Sequence, residues 1–336
     1  MLIQQLESWY QKNHRKLPFR SRPNPYWIWI SEIMLQQTQM DTVIPYFLRF
    51  IKRFPTIQSI AEAEEEEVLT LVQGLGYYRR FRLLKKAAEW MMQHHQGKFP
   101  HTFEDIENLP GVGSYTAGAI ASIAFGLPKS AVDGNVLRVI ARYAGIQEDI
   151  TLQATKKKIM ALNQQWIEQA NPPIYTQALM ELGALVCRPK APQCEQCPLQ
   201  SSCYAYAHQL VETLPKVAKK KRQVIEPFTT VLFLYQGKLG FQKRQSGLLE
   251  GMYLFPQWQD EGIDVILKKE NIHPQHLSQL GKVAHIFTHK RWEMSVFLAE
   301  IQTLPTLDLV WIPVAKIDQI PIAKAHRKLL DHYKIE

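Results

Sequence analysis

The chain has 336 residues and a formal net charge of +9, with 46% hydrophobic and 21% charged residues. This is an ordinary composition for a globular protein of about two domains, and the positive charge favours a polyanionic partner. The N-terminus lacks the apolar core of a signal peptide, and no apolar run is long enough to span a membrane. We therefore expect a cytoplasmic protein. The chain shows no coiled-coil or interface pattern, so we also expect a monomer.

The first 210 or so residues carry apolar side chains at helical spacing, punctuated by proline and glycine. This spacing predicts helices over Trp27–Phe50, Ala63–Leu75, Phe81–His94, Val136–Tyr143 and Tyr175–Val186. The charge run Glu64–Glu67 is most simply a solvated helix face.

One carboxylate stands out within the first predicted helix. Glu32, Gln36 and Gln39 share a helical face there, and the neighbours of Glu32 are largely apolar. A carboxyl group partly removed from water has a raised pKa and can act as a general acid. A solvent-facing polar stripe would have the same spacing.

The segment LPGVGSYT, starting at Leu109, predicts a helix end, a tight turn and a new helix. Gly111 and Gly113 can adopt positive φ and allow close backbone approach, and the new helix N-terminus can bind phosphate. An ordinary helix–helix turn would look the same. Asp133 precedes the next helix, where it can be an N-cap, a catalytic carboxylate or both. Together with Glu32 it would form a pair suited to cleaving a glycosidic bond.

All four cysteines lie close together, with the spacing Cys-x6-Cys-x2-Cys-x5-Cys. They are Cys187, Cys194, Cys197 and Cys203, and four reduced thiols so close in sequence predict a metal site. The long first spacing favours a [4Fe–4S] cluster. Zinc is the alternative.

The pattern changes after a basic stretch, KVAKKKRQVIEP, from Lys216 to Pro227. FTTVLFLYQGKLGFQKR then predicts a β-hairpin around a Gln-Gly turn, and further strands are predicted over Trp292–Ile301 and Leu309–Ile312. We predict a helical domain at 1–214 that includes a cysteine loop at 187–203. A basic linker follows at 215–227, and an α+β domain at 228–336.

Several motifs occur in the order found in one enzyme family. SEIMLQQTQ, GLGYYRR, LPGVGSYT, VDGNV, QALMELGALVC and the cysteine loop resemble the adenine DNA glycosylases (the MutY family) of the helix-hairpin-helix base-excision repair superfamily. The resemblance implies a mostly α helix-hairpin-helix glycosylase domain with an iron–sulfur cluster loop, and an α+β Nudix-like C-terminal domain. It also implies a nucleoid-associated enzyme that removes adenine mispaired with 8-oxoguanine or guanine in double-stranded DNA. Gly111, Val112 and Gly113 would contact the DNA backbone.

The resemblance also implies roles for individual residues. Glu32 would protonate the departing adenine and help to activate water, while Asp133 would stabilise the sugar cation. Tyr115 and Asn135 would support these two carboxylates. Arg20 and Gln177 match positions that contact the extruded adenine in this family.

Base flipping needs groups that replace the lost stacking, and the resemblance assigns this role to Gln37 and Tyr77. A packed pair of Tyr77 and Tyr78 is the alternative. Tyr115 stands where enzymes that also nick the strand carry a lysine, so we expect a monofunctional enzyme that leaves an abasic site. Leu137 replaces another lysine that some relatives carry, which predicts weak trapping on DNA.

The C-terminal segment HIFTHKRW resembles the loop that recognises 8-oxoguanine. Phe287, Thr288 and His289 would read the base, with threonine in place of the usual serine. A strand end with a buried Phe287 is the alternative. SGLLEGMYLFPQW resembles a Nudix fold, but only Glu250 of a metal-binding carboxylate cluster is present, which excludes pyrophosphatase activity. Two other functions remain open, a thymine or oxidised-pyrimidine glycosylase and a non-catalytic DNA-binding protein.

Overall fold

The structure is a computed structural model that describes residues 2–21, 24–218 and 223–333. The chain folds into two compact units. The first comprises Met1–Ala61 and Lys86–Lys219, and the second comprises Glu62–Lys85 and Lys220–Glu336. Within the described ranges, no helix is both long and apolar enough to cross a membrane.

The first unit is helical. Its helices are α1 (Leu2–Asn13), α2 (Pro25–Leu35), α3 (Met40–Arg53), α4 (Ile57–Ala61), α7 (Phe103–Glu107), α8 (Ser114–Phe125), α9 (Gly134–Ala144), α10 (Gln153–Ile167), α11 (Pro172–Leu185) and α12 (Tyr204–Ala207). Helix α6 (Arg79–His95) belongs to this unit from Lys86 onwards. Asn24 caps α2 by accepting hydrogen bonds from two backbone N–H groups, and Gly126 and Gly145 end α8 and α9 with positive φ.

The prediction of a single helix over Trp27–Phe50 is wrong. Helix α2 ends at Leu35 and α3 begins at Met40, and Gln37 lies between them with φ +59°. Glu32, Gln36 and Gln39 therefore do not share one helical face. The segment between α2 and α3 contains neither glycine nor proline, so its residue types did not predict a break in the helix.

Helix α11 lies at the centre of the helical unit, where it packs against α1, α8 and α9. Leu6, Val136, Ile140 and Tyr175 are among the buried residues of this core. At Gly183, an added Cβ would lie 2.6 Å from the Cβ of Asn135. The missing side chain therefore allows α11 to approach the start of α9, which is where Asp133 lies.

The second unit contains a seven-stranded mixed sheet. Its strands are β1 (Val224–Tyr235), β2 (Lys238–Lys243), β3 (Tyr253–Leu254), β4 (Gln257–Gln259), β5 (His276–Ile286), β6 (Lys290–Glu300) and β7 (Val310–Pro313). The main order is β3-β2-β1-β6-β5, while β4 pairs with β1 and β7 with β2. Strands β1 and β6 run parallel. The helices of this unit are α5 (Glu65–Leu71), the start of α6, α13 (Ile263–Lys269) and α14 (Lys324–Tyr333).

The β1–β2 hairpin confirms the predicted Gln-Gly turn. Tyr235 pairs with Lys238, and the intervening Gln236 and Gly237 have φ values of +47° and +71°. Positive φ at both central residues is typical of the turn that matches strand twist. Strand β1 begins at Val224, so the last four residues of the segment predicted as linker are already part of the sheet.

Candidate active site

Glu32 lies on α2 with only 1% of its surface exposed. Two side chains donate hydrogen bonds to its carboxylate. Arg20 donates to Oε1 through Nη2, and the Tyr115 hydroxyl donates to Oε2 over 2.7 Å. The pairing satisfies a buried charge that would otherwise be very unfavourable. It also fixes the direction in which the carboxylate points.

Asp133 is the N-cap of α9, and its two oxygens are held separately. Oδ1 accepts the backbone N–H of Val136 over 2.7 Å, and Oδ2 accepts the side-chain amide of Asn135 over 2.9 Å. Burial raises the pKa of Asp133, and the two hydrogen bonds offset part of this rise. Charge on Glu32 raises the same pKa further, so the two carboxyl groups lie close enough to interact. Asp133 is thus an N-cap whose pKa also responds to the charge on Glu32.

The Tyr115 hydroxyl is influenced by the charges on both carboxylates. Burial raises its pKa well above the ordinary value, and charges on Glu32 and Asp133 add to the rise. The hydroxyl therefore keeps its proton and acts as a hydrogen-bond donor to Glu32. A tyrosine at this position supplies no amine.

The residues predicted to meet the adenine lie on α11 and in the loop before α2. Gln177 accepts the Tyr10 hydroxyl at Oε1 over 3.1 Å, and its amide donates to the carbonyl of Pro173. Nη1 of Arg20 is buried and has no hydrogen-bond partner among the described residues. A buried donor without a partner beside Glu32 is unfavourable in the free protein, and a ligand acceptor would satisfy it.

The two residues predicted to enter the DNA stack are both exposed. Gln37 lies in the turn between α2 and α3. Tyr77 is 51% exposed with φ +48°, whereas Tyr78 is 4% exposed and its hydroxyl accepts the N–H of Gly74 over 3.1 Å. The alternative of a packed tyrosine pair therefore holds for Tyr78 but not for Tyr77.

Helices α7 and α8 form the predicted hairpin. Gly111 has φ +77°, as expected, but Gly113 has an extended backbone with φ −95°. Of the two glycines that can adopt positive φ, only Gly111 does so here. Gly113 is the N-cap of α8, and an added Cβ there would meet no atom within 4 Å. Val112 is buried beneath the turn. The start of α8 therefore has open space beside Gly113.

The four cysteines follow α11 in a loop with two short 3-10 turns. Burial, together with charge on the other three thiols, raises the pKa of Cys197 to about 12. The thiols of Cys187, Cys194 and Cys203 therefore act electrostatically on Cys197. Arg142 donates to Sγ of Cys187 over 3.4 Å. In residues 2–21, 24–218 and 223–333, no three Cys, His, Asp or Glu side chains form a group that could hold a single metal ion.

A buried arginine that sequence reasoning missed connects the cysteine loop to Asp133. Arg138 donates to Oδ1 of Asn135 over 2.9 Å, to the carbonyl of Gly183 over 2.8 Å and to the carbonyl of Cys187 over 2.7 Å. Asn135 in turn donates to Asp133. The one available signal was the position of Arg138 between apolar residues on the buried face of α9.

The turn between β5 and β6 contains the three residues predicted to read the opposite base. Phe287 is half-buried, with its ring centroid 4.6 Å from His285 and 4.8 Å from Trp292. Its N–H donates to the carbonyl of Lys290 over 2.8 Å, which closes the turn. Thr288 and His289 are exposed at the tip. Phe287 therefore anchors the turn, in agreement with a packed strand end, and leaves the other two side chains accessible.

Family models match both halves of the chain. The model for the HhH-GPD superfamily base excision DNA repair proteins matches residues 30–169, and that for the NUDIX domain matches residues 229–332. Taken with the helical hairpin and the buried carboxylates, these matches define a helix-hairpin-helix DNA glycosylase with a Nudix-like C-terminal domain.

Curated relatives specify the base. The adenine DNA glycosylase of Buchnera aphidicola subsp. Baizongia pistaciae is 38% identical over 86% of this chain and 83% of its own length. The adenine DNA glycosylase of Homo sapiens is 32% identical over 98% of this chain and 73% of its own length. The chain belongs to the adenine DNA glycosylases.

Solved structures support the fold of the helical part. A thermostable thymine-DNA glycosylase superposes with a TM-score of 0.57 at 27% identity, covering 62% of this chain and 95% of that one. A non-covalent Endonuclease III–DNA complex superposes with a TM-score of 0.50 at 23% identity over the same shares. The predicted family, fold class and enzyme class are confirmed. The protein is a base-excision repair enzyme that acts on DNA and hydrolyses the N-glycosyl bond of adenine.

Proposed function

We propose that the enzyme removes adenine paired with 8-oxoguanine or guanine, and that it is monofunctional and leaves an abasic site. The proposal of a monofunctional reaction rests mainly on the hydrogen bond from the Tyr115 hydroxyl to Glu32. A residue at this position that attacked C1′ would need an amine to form a Schiff base. The leucine at position 137 supplies no amine either.

Glu32 is the proposed general acid. After Glu32 has taken up a proton from solvent, it donates that proton to N7 of the extruded adenine as the bond between C1′ and the base breaks, and the electron pair of that bond leaves with the base. The Glu32 carboxylate then accepts a proton from water while the hydroxide portion of that water bonds to C1′. Arg20 and Tyr115 hold the two oxygens of Glu32, which keeps the carboxyl group in one orientation throughout.

Asp133 is the proposed stabiliser of the oxocarbenium-like sugar. Its carboxylate is held by Val136 and Asn135 before substrate binds, so no reorganisation is needed when positive charge develops. Its burial strengthens this electrostatic interaction. The two carboxylates therefore have different tasks, one in proton transfer and one in charge stabilisation.

The remaining proposed contacts prepare the base for this chemistry. Arg20 and Gln177 meet the extruded adenine, and the unpartnered Nη1 of Arg20 supports this assignment. Gln37 and Tyr77 replace the lost stacking, and the exposure of both side chains supports their role. The N–H groups around Gly111, Val112 and Gly113 bind the DNA phosphates.

The proposed reader of the opposite base is the turn formed by Phe287, Thr288 and His289. 8-Oxoguanine differs from guanine by an N7 hydrogen and an O8 acceptor. The Thr288 hydroxyl can accept one bond and donate another, so it can distinguish these edges. The exposed tip and the anchored Phe287 ring support this role. We further propose that the protein acts on nucleoid DNA as a monomer.

The proposed cofactor is a [4Fe–4S] cluster held by Cys187, Cys194, Cys197 and Cys203, with zinc as the alternative. The donor set fits in its chemistry, because it consists of four cysteines in one short loop, and Arg142 donates an N–H to the sulfur of Cys187. Bound to these thiols, the cluster would supply cross-links that order the loop. Iron and acid-labile sulfide analysis decides between the two metals. About four irons with matching sulfide per chain support the cluster, and a single zinc without sulfide contradicts it.

The test of the reaction is single-turnover cleavage of a duplex labelled on the adenine strand opposite 8-oxoguanine. Each time point is divided and analysed with and without alkali. We expect strand breaks only after alkali, because the DNA strand breaks at an abasic site only when alkali causes β-elimination there. Y115F is the matched variant and should be slower but equally dependent on alkali. Strand breaks without alkali in the wild type would contradict the monofunctional assignment.

A further inference from the structure

Tyr77 projects from a stretch of chain that belongs to the same compact unit as the C-terminal sheet. This stretch, Glu62–Lys85, is called the 62–85 segment below. It contains α5, the loop that carries Tyr77, and the first turns of α6. Hydrogen bonds within the segment stabilise the loop, since Arg80 donates to the carbonyls of Leu75 and Gly76 over 3.3 and 3.4 Å. Tyr77 is therefore the exposed end of an ordered loop.

Two ion-pair groups connect the 62–85 segment to the sheet. In the first, Arg82 lies between Glu65 (Nε to Oε1, 3.0 Å) and Glu250 (Nη1 to Oε1, 2.6 Å). In the second, Oε2 of Glu66 accepts from Nζ of Lys243 over 2.7 Å and from the hydroxyl of Tyr253 over 3.0 Å. The run Glu64–Glu67, expected to be a solvated face, therefore supplies two residues to these contacts.

The two groups flank a close backbone contact. Gly251 has φ +83°, and a Cβ added there would lie 2.9 Å from Cδ1 of Leu69 and 3.2 Å from Oε1 of Glu65. Leu69 is buried. A side chain at position 251 would thus be strained by its backbone conformation and would push against α5. The close contact at Gly251 and the two ion-pair groups together fix how the sheet contacts the 62–85 segment.

We propose that Lys243, Glu250 and Gly251, together called the clamp below, are positioning residues for Tyr77. They hold α5 and the start of α6, and Arg82 lies only five residues after Tyr77, across the first turn of α6. The tyrosine and the Phe287–His289 turn thereby belong to one body, so engagement of the opposite base also places the tyrosine at the DNA stack. This inference rests on the proposed function, which assigns stacking to Tyr77 and base reading to the turn.

The variant K243M/E250Q removes one ion pair from each group, Lys243–Glu66 and Arg82–Glu250, without touching the proposed catalytic carboxylates. The readout is the fluorescence of 2-aminopurine placed beside the target adenine opposite 8-oxoguanine, which reports unstacking, together with the single-turnover rate. Because each exposed pair contributes little, we expect unstacking and rate to fall between about three- and tenfold. K269M removes the Lys269–Glu261 pair elsewhere in the same unit and should behave as the wild type.

Charge reversal separates an ion pair from a general packing effect. The single variants E66K and K243E should each reduce unstacking at least as much as K243M does. The double variant E66K/K243E should recover toward the wild-type fluorescence. G251A tests the steric contact independently and should reproduce the defect of K243M/E250Q. Failure of the double reversal to recover, or wild-type behaviour of both K243M/E250Q and G251A, would overturn the proposal.

A comparison with Y77A distinguishes this proposal from the function on which it rests. If the clamp acts through Tyr77, adding K243M/E250Q to Y77A should cause no further loss of unstacking. Additive losses would overturn the clamp while leaving the role of Tyr77 in place. Wild-type unstacking in Y77A would instead remove the proposed stacking role itself, and the clamp with it.

Discussion

Glu32 and Asp133 each accept hydrogen bonds from two neighbouring groups, whereas Thr288 and His289 lie exposed on a turn anchored by one aromatic ring. The carboxylates are therefore oriented before DNA arrives. The turn presents accessible groups, and the proposed function gives them partners on the nucleic acid. This difference fits a division of tasks, because bond cleavage requires preorganised charge and base reading requires unsatisfied donors and acceptors.

We therefore predict that changes in the carboxylate pocket affect the rate opposite every base, while changes in the turn affect selectivity between opposite bases. We also expect the pocket to be the more sensitive region. A residue with several buried partners cannot be replaced without leaving some of them unsatisfied. An exposed residue at a turn can be replaced with little effect on stability.

The largest effect is expected from E32Q. Glutamine keeps the shape. Its amide oxygen can still accept from Arg20, while its NH2 group faces the Tyr115 hydroxyl as a donor, and it cannot deliver a carboxyl proton. Single-turnover adenine release should slow by about 10²- to 10⁴-fold. The same loss is expected opposite 8-oxoguanine and guanine. E104Q, which changes an exposed carboxylate of the same unit, is the control and should be unaffected. Near wild-type rates for E32Q would remove the proposed general acid.

R138M should be the next most damaging change. Loss of the guanidinium leaves the carbonyls of Gly183 and Cys187 and the side chain of Asn135 without this donor. We expect the free energy of unfolding to fall by roughly 3 kcal/mol, measured by urea denaturation. R327M is the control, since Arg327 is partly exposed on α14 and pairs only with exposed carboxylates. Equal losses in both variants would contradict the contrast between buried and exposed regions.

N135A should alter the pH dependence of the reaction. Asp133 must be ionised to stabilise the sugar cation, so its activity falls as pH decreases through its pKa, which burial already raises. Removing the Asn135 hydrogen bond takes away a group that favours the ionised form. The acidic limb of the rate profile should therefore move to higher pH by about one unit. An unchanged limb would show that Asp133 does not control it.

T288A should have the smallest effect, and only on selectivity. The ratio of rates opposite 8-oxoguanine and guanine should fall by about fivefold, the magnitude of one net hydrogen bond. T288S retains the hydroxyl and should preserve the ratio. A uniform loss opposite both bases would mean that the turn supports the fold or general DNA binding and does not read the base.

The sequence predicted the parts of the fold that depend on local signals. The Gln236-Gly237 turn and the cap at Asp133 follow from residue preferences at turns and helix starts, and both are confirmed. The break after Leu35 was missed, because Gln36 to Gln39 have no strong preference against helix.

The parts of the candidate site that depend on contacts between distant residues could not be predicted from the sequence. Arg138 joins Asn135 to Cys187, residues far apart in sequence, and its apolar neighbours on α9 were the one local sign that it is not a surface arginine. The contacts of Glu66 with Lys243 and Tyr253 are separated by more than 170 positions in the same way. The family resemblance supplied the candidate catalytic residues, but not these supporting partners.

The most direct test of the division of tasks is the single-turnover rate of adenine release from duplexes that differ only in the opposite base. Adenine would be placed opposite 8-oxoguanine, guanine and thymine, with wild-type enzyme at saturating concentration. We predict the highest rate opposite 8-oxoguanine, a lower rate opposite guanine and the lowest opposite thymine. Equal rates from the three duplexes would contradict the division, because a pocket that acts without reference to the opposite base would leave the Phe287–His289 turn without a reading role.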